Sequence, residues 1–181
     1  MADYQVASDL LQQSRQAFHG QKSLAERALA QLDDAAFFAQ LDDESNSVAI
    51  IVKHVGGNLR SRWTDFLSSD GEKPDRRRDS EFVIEPGDSR QSLMNRWEDG
   101  WRTVFDTLDA LAPDDLEVTV YIRGEAVSAV AALQRSLAHI SHHVGQVVFV
   151  AKHLRSADWM TLSIARGKSA EYRPPQVGRV T

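Results

Sequence analysis

The sequence predicts an all-α fold, a four-helix bundle with a short strand or extended linker ahead of the last helix. Two patterns carry this expectation. Four long segments repeat apolar residues at three- and four-residue spacing, which gathers them on one helical face. One β-branched, alternating stretch, Leu116 to Ile122, breaks that period and reads as extended. Four amphipathic helices in a chain of 181 residues are expected to pack as a single domain over 1–181.

The first helix is expected over about 3–32, a proline-free stretch rich in Ala, Gln, Leu and Arg. Val6, Leu10, Leu11, Ser14, Ala17 and Phe18 mark its inner face, and Gly20 is a place for a kink. Asp33-Asp34 then leads into a short Ala-Ala-Phe-Phe helical turn. Asn46 or Ser47 can cap a second long helix over about 47–67, because a side-chain oxygen there satisfies an orphan amide. Val48, Ile51, Val55, Leu59, Trp63 and Phe66 form its stripe. Residues 68–87 read as a loop; its Arg76–Arg78 run has the charge to bind phosphate, but Asp75 and Asp79 flank it, so a solvated, self-paired loop is the expectation. Asp88 or Ser89 can cap a third helix over about 89–111, with Leu93, Trp97, Trp101, Val104 and Leu108 inward. The last helix is expected over about 125–154, followed by a surface-lying extension over 155–181.

Composition narrows the chemistry. The chain has no cysteine and six histidines. That excludes disulfide scaffolds, iron–sulfur centres, Cys-ligated zinc and a thiol nucleophile of its own. A formal charge of −5 argues against general nucleic-acid binding. Apolar runs are short, as in Val147 to Ala151, and Met-Ala-Asp-Tyr-Gln opens no secretory signal. The expectation is a cytoplasmic protein with no membrane and no nucleic-acid partner.

The histidines cluster. His139 and His143 are spaced i, i+4, so both imidazoles share a face and can reach one ion. Ile140 follows His139 where the zincin pattern needs glutamate, which disfavours a metalloprotease. On a wheel with His139 at zero, His143 lies at about +40°, Gln146 at about −20°, Arg135 at about −40° and His142 at about −60°. The apolar residues lie on the positive side, so His143 leans to the core and His142 away from it. A third ligand must come from another helix, and His54, next to the mid-helix pair Gly56-Gly57, is the candidate. Such glycines suggest close approach of a neighbouring element. Three histidines would leave one coordination position open, as reactive sites do. The competing reading is three unrelated boundary histidines bonded to water or carbonyls.

At these residues the sequence resembles the DinB/YfiT-like superfamily, and within it a bacterial branch carried as a domain of unknown function. The matching pieces are Ile51–Asn58, Ile122–Glu125, Ala138–Gln146 and Trp159–Ser169. The resemblance implies a four-helix bundle in which His54, His139 and His143 bind a divalent metal, zinc or nickel in some relatives. It also implies frequent homodimers, and relatives that are transferases or isomerases using a low-molecular-weight thiol such as bacillithiol or mycothiol. Other relatives are called hydrolases.

Three functions compete. The first is a metal-dependent transferase whose nucleophile arrives as a thiol cofactor. Arg123 and Arg135 are candidates to pair its carboxylate, Asn58 and Gln146 to orient it, and His142 stands beside the site. The second is a hydrolase built on metal-activated water, ranked lower because no carboxylate lies within a turn on the His139 face. The third is a non-catalytic protein that binds metal for stability or assembly. Trp63, Trp97 and Trp101 are expected in the core or a dimer interface. No residue is assigned as catalytic.

Overall fold

The computed structural model describes residues 2–173. Its elements are α1 (Ala2–Leu29), α2 (Asp34–Phe38), α3 (Val48–Trp63), α4 (Arg90–Ala110), β1 (Thr119–Ile122), β2 (Glu125–Ser128) and α5 (Ala129–Arg155). The long helices α1, α3, α4 and α5 form the expected bundle, with α3 packed most extensively on α4, and α1 on α5.

α3 is the central helix, and it buries polar residues (Lys53, His54, Asn58 and Ser61) as well as its apolar stripe. Ser47 caps it by accepting from the Ile50 amide, and nearly every residue from Val48 to Trp63 is buried. Its end comes earlier than the apolar repeat predicts. The Thr64 hydroxyl donates to the Arg60 carbonyl at 2.7 Å and Asp65 turns the chain at φ 49°, so Phe66 packs inward from a loop. Gly56 meets the expectation of close approach: a Cβ there would stand 2.9 Å from the Arg96 carbonyl oxygen of α4. Gly100 returns the contact, since its Cβ would lie 2.8 Å from the Gly56 carbonyl oxygen. Trp63, Trp97 and Trp101 are all buried, which assigns them to the core rather than to an exposed interface.

The other long helices follow their patterns with local corrections. α1 runs through Gly20 without a break and stops at Leu29, where two i→i+3 bonds tighten the chain before Asp33 caps α2. Val6 is exposed, so the buried stripe of α1 begins near Leu11. Ser89 caps α4 in a reciprocal pair with Ser92.

The extended segment before α5 is a two-stranded antiparallel hairpin, not one strand, and α5 therefore starts at Ala129 rather than 125. Arg123 and Gly124 both adopt positive φ (56° and 78°), as a type I′ hairpin turn requires. Asp70 makes that turn tolerable for an arginine, because its carboxylate accepts from both turn amides, Arg123 at 2.8 Å and Gly124 at 2.7 Å. The Glu72 amide, which also donates to Asp70 at 2.7 Å, together with the Gly124 and Arg123 amides holds the Asp70 carboxyl below its ordinary range. After α5 the chain lies along α1: Arg27 donates to the Leu162 carbonyl, and Gln31 bonds both backbone groups of Met160. The rest of the expected extension, 174–181, lies outside the described residues.

Candidate metal centre

His54 projects from the middle of α3 and is 4% exposed. α5 supplies His139 and His143, one turn apart and half-buried. Their Nε2 atoms converge: His54 to His139 is 3.3 Å and His143 to His139 is 3.2 Å. The three ligand nitrogens all lie within 4.8 Å of one another. Two nitrogens held about 2.05 Å from a tetrahedral ion stand about 3.3 Å apart, so these separations fit a zinc-sized cation.

Tautomers sharpen the fit. His54 Nδ1 faces the Glu81 carboxylate at 2.8 Å, and a carboxylate can only accept. The ring proton therefore sits on Nδ1 and the Nε2 lone pair points inward. His143 Nδ1 likewise donates to Gln146 Oε1 at 2.8 Å and turns its own Nε2 lone pair inward. One proton on His139 Nε2 cannot serve both lone pairs well; a cation serves all three rings at once. Burial beside the other imidazoles holds His139 down to about 3. For His143, burial outweighs the Gln146 bond and the value falls to about 4. Both rings are thus neutral ligands at physiological pH, and the donor set fits a divalent metal of intermediate softness.

Sequence reasoning missed Glu81. It lies on a 3-10 turn, Arg78–Phe82, and its side chain is buried against α3. Arg76 clamps it through two bonds of 2.8 Å. Burial alone would raise the Glu81 carboxyl, but the bonds from Arg76 and His54 reverse the sign and keep it ionised. Gly57 makes the space, since a Cβ there would overlap the Glu81 carboxylate. The second glycine of the pair thus serves the site, while the first serves helix packing. Arg76 also corrects the reading of the Arg76–Arg78 loop. Its side chain is 5% exposed and tied to Glu81 and Glu72, whereas Arg78 is half-exposed and 3.9 Å from Asp79.

The remaining candidates are distributed around this core. Asn58 is buried and, with exposed Arg123 and Arg135, lines a cavity of about 170 Å³ that opens on His54 and His139. Gln146 is occupied by His143. His142 is exposed, its ring edge-on to His143 at 5.2 Å. The cluster of three does not include His142.

Carboxylate support of a ligating imidazole fixes its orientation and raises its basicity. Glu81→Gln removes the charge but keeps an acceptor, and is expected to weaken metal binding about 10–100-fold without loss of fold. Gly57→Ala should do the same by displacing the carboxylate. Competition against a chromophoric chelator measures both, and unchanged affinity in both variants would leave Glu81 with no part in the site.

Together these features define a helical-bundle protein with a partly buried three-histidine cluster able to hold a metal ion. The chain belongs to the family described as "Protein of unknown function (DUF1572)", which matches residues 5–168. No curated protein and no solved structure matches it. Among the described residues, no helix is long and apolar enough to cross a membrane.

Proposed function

We propose that this protein is a divalent-metal-binding member of the DinB/YfiT-like superfamily, and that it is a transferase working with a low-molecular-weight thiol. The observation that carries the reading is the convergence of His54, His139 and His143 beside an open cavity, in a chain without cysteine. A zinc or nickel ion bound there would lower the pKa of a thiol brought to it, supplying thiolate at neutral pH.

The protein's own residues have other tasks. Glu81 and Gln146 fix the two imidazoles they bond, and His139 forms part of the cavity wall. Asn58, Arg123 and Arg135 face the cofactor in this proposal, and His142 and Gln146 stand behind it. The substrate is a small electrophile, and the working form a homodimer.

A hydrolase would need a free general base. Glu81 is the carboxylate nearest the cluster by contact, but Arg76 takes both of its oxygens and His54 shares one. This favours the transferase. The test is a screen of low-molecular-weight thiols with the metal-loaded protein. Binding that needs the metal, and consumption of an electrophile that needs the thiol, are the expected results. Turnover of an ester or amide at full rate without thiol would replace this reading with the hydrolase.

A further inference from the structure

The cavity beside the histidines is lined by five arginines: Arg62, Arg76, Arg78, Arg123 and Arg135. No carboxylate lines it. Two stand behind the arginines and are shared. Glu81 is taken by Arg76, while Glu72 serves Arg62 at 2.9 Å, Arg123 at 3.1 Å and Arg76 at 3.5 Å. Three guanidiniums are thus matched to two negative charges.

The other two have less. Arg135 has no ion-pair or hydrogen-bond partner among the described residues. Arg78 reaches only Asp79, at 3.9 Å, and that carboxylate is fully exposed. Its guanidinium instead lies over the Phe82 ring at 5.1 Å, and Phe82 packs 4.7 Å from the His54 ring. Arg78 is thereby held at the mouth of the cavity close to the cluster. Arg62 stands behind them, its Nη1 buried with no partner. Burial has already lowered the Arg62 pKa, despite Glu72. Like charges gathered in a concave site focus their field outward, and a planar guanidinium matches carboxylate and phosphate oxygens.

We propose that this cavity is a polyanion subsite, and that the ligand which reaches the histidine cluster carries at least two negative charges held by Arg78 and Arg135. The ligand is a small compound bearing carboxylates or a phosphate. Only the placing of its reactive end at the histidines rests on the metal-dependent function proposed above. The anion subsite stands on the arginines alone.

Calorimetric titration of the metal-free protein with succinate, inorganic phosphate and acetate tests it. At least one dianion should bind at a single saturable site, at least about tenfold more tightly than acetate, and weaken as salt rises. Arg135→Gln and Arg78→Gln should each lower that affinity about tenfold, the order of one charge-assisted hydrogen bond. Preference for succinate identifies a carboxylate ligand, and preference for phosphate a phosphate ester. His143→Ala, which lies outside the cavity lining, should lose metal yet bind the anion as before. If neither dianion binds saturably, or if Arg78→Gln/Arg135→Gln keeps full affinity, the subsite does not exist. Metal retained in His143→Ala with anion binding intact would instead count only against the metal site.

Discussion

His139→Ala is expected to empty the metal site, with His54→Ala and His143→Ala doing the same and His142→Ala retaining metal at full occupancy. The reason is geometric. His139 Nε2 sits 3.3 Å from His54 Nε2 and 3.2 Å from His143 Nε2, so its loss removes the nitrogen common to both contacts. The affinity should fall by more than the roughly 10–100-fold that a lost outer hydrogen bond costs. Elemental analysis after dialysis reads occupancy, and far-UV circular dichroism confirms the fold. His54→Ala needs that control most, because it also strips a partner from buried Glu81. Melting provides a second measure. A ligand that binds only the folded state at 100 times its dissociation constant adds about 2.7 kcal/mol, so a chelator should lower the melting temperature of wild type and His142→Ala. It should leave His139→Ala unmoved. Full occupancy in His54→Ala would end the three-histidine assignment.

The legible parts of this protein are those written in local periodicity. Stripes such as Leu93, Trp97, Trp101, Val104 and Leu108 locate a helix because every buried position repeats with its turn. The His139–His143 pair is legible for the same reason, and His54 only because one more ligand was needed and Gly56-Gly57 signalled close packing. Less local features were hidden. Glu81 meets His54 across 27 residues through a loop whose path depends on Asp70, Lys53 and Arg76 together. The hairpin escaped notice because Arg123 takes a left-handed turn conformation only with Asp70, 53 residues away, beneath it. Without that partner, Glu125-Ala126-Val127-Ser128 reads as the start of a helix. The same remoteness hid the arginine cavity, which gathers side chains from α3, the 76–78 loop, the hairpin turn and α5.

Lys53→Met is expected to cost about 3–5 kcal/mol at pH 7, the range for removing one member of a buried ion pair. Lys53 is 2% exposed, and its ammonium donates to the Val83 carbonyl at 2.8 Å, Asp88 at 2.6 Å and Glu85 at 3.2 Å. The Asp88 side chain is only 3% exposed, so methionine would leave a carboxylate charged and buried without its cation. The pH dependence fixes the cause. In the wild type, burial raises the Asp88 carboxyl, but the bonds from Lys53 and the Glu85 amide outweigh it and the net shift is downward. The pair therefore stabilises above the ordinary carboxylate range, and that contribution is lost as pH falls through the depressed value. In Lys53→Met burial acts with less opposition and Asp88 shifts upward. The folded variant then resists protonation less than wild type does, and loses less stability as pH falls through the carboxylate range. Urea unfolding at pH 7, 5 and 4 should show the gap to wild type narrowing; a gap that stays constant would mean that lost packing, not the stranded charge, carries the cost. The same variant should bind metal more weakly. Lys53 fastens residues 83–88 to α3 one position from His54, and Glu81 lies two residues before that anchor. Releasing the loop frees the carboxylate that orients His54, so the buried ion pair supports the histidine cluster as well as the fold.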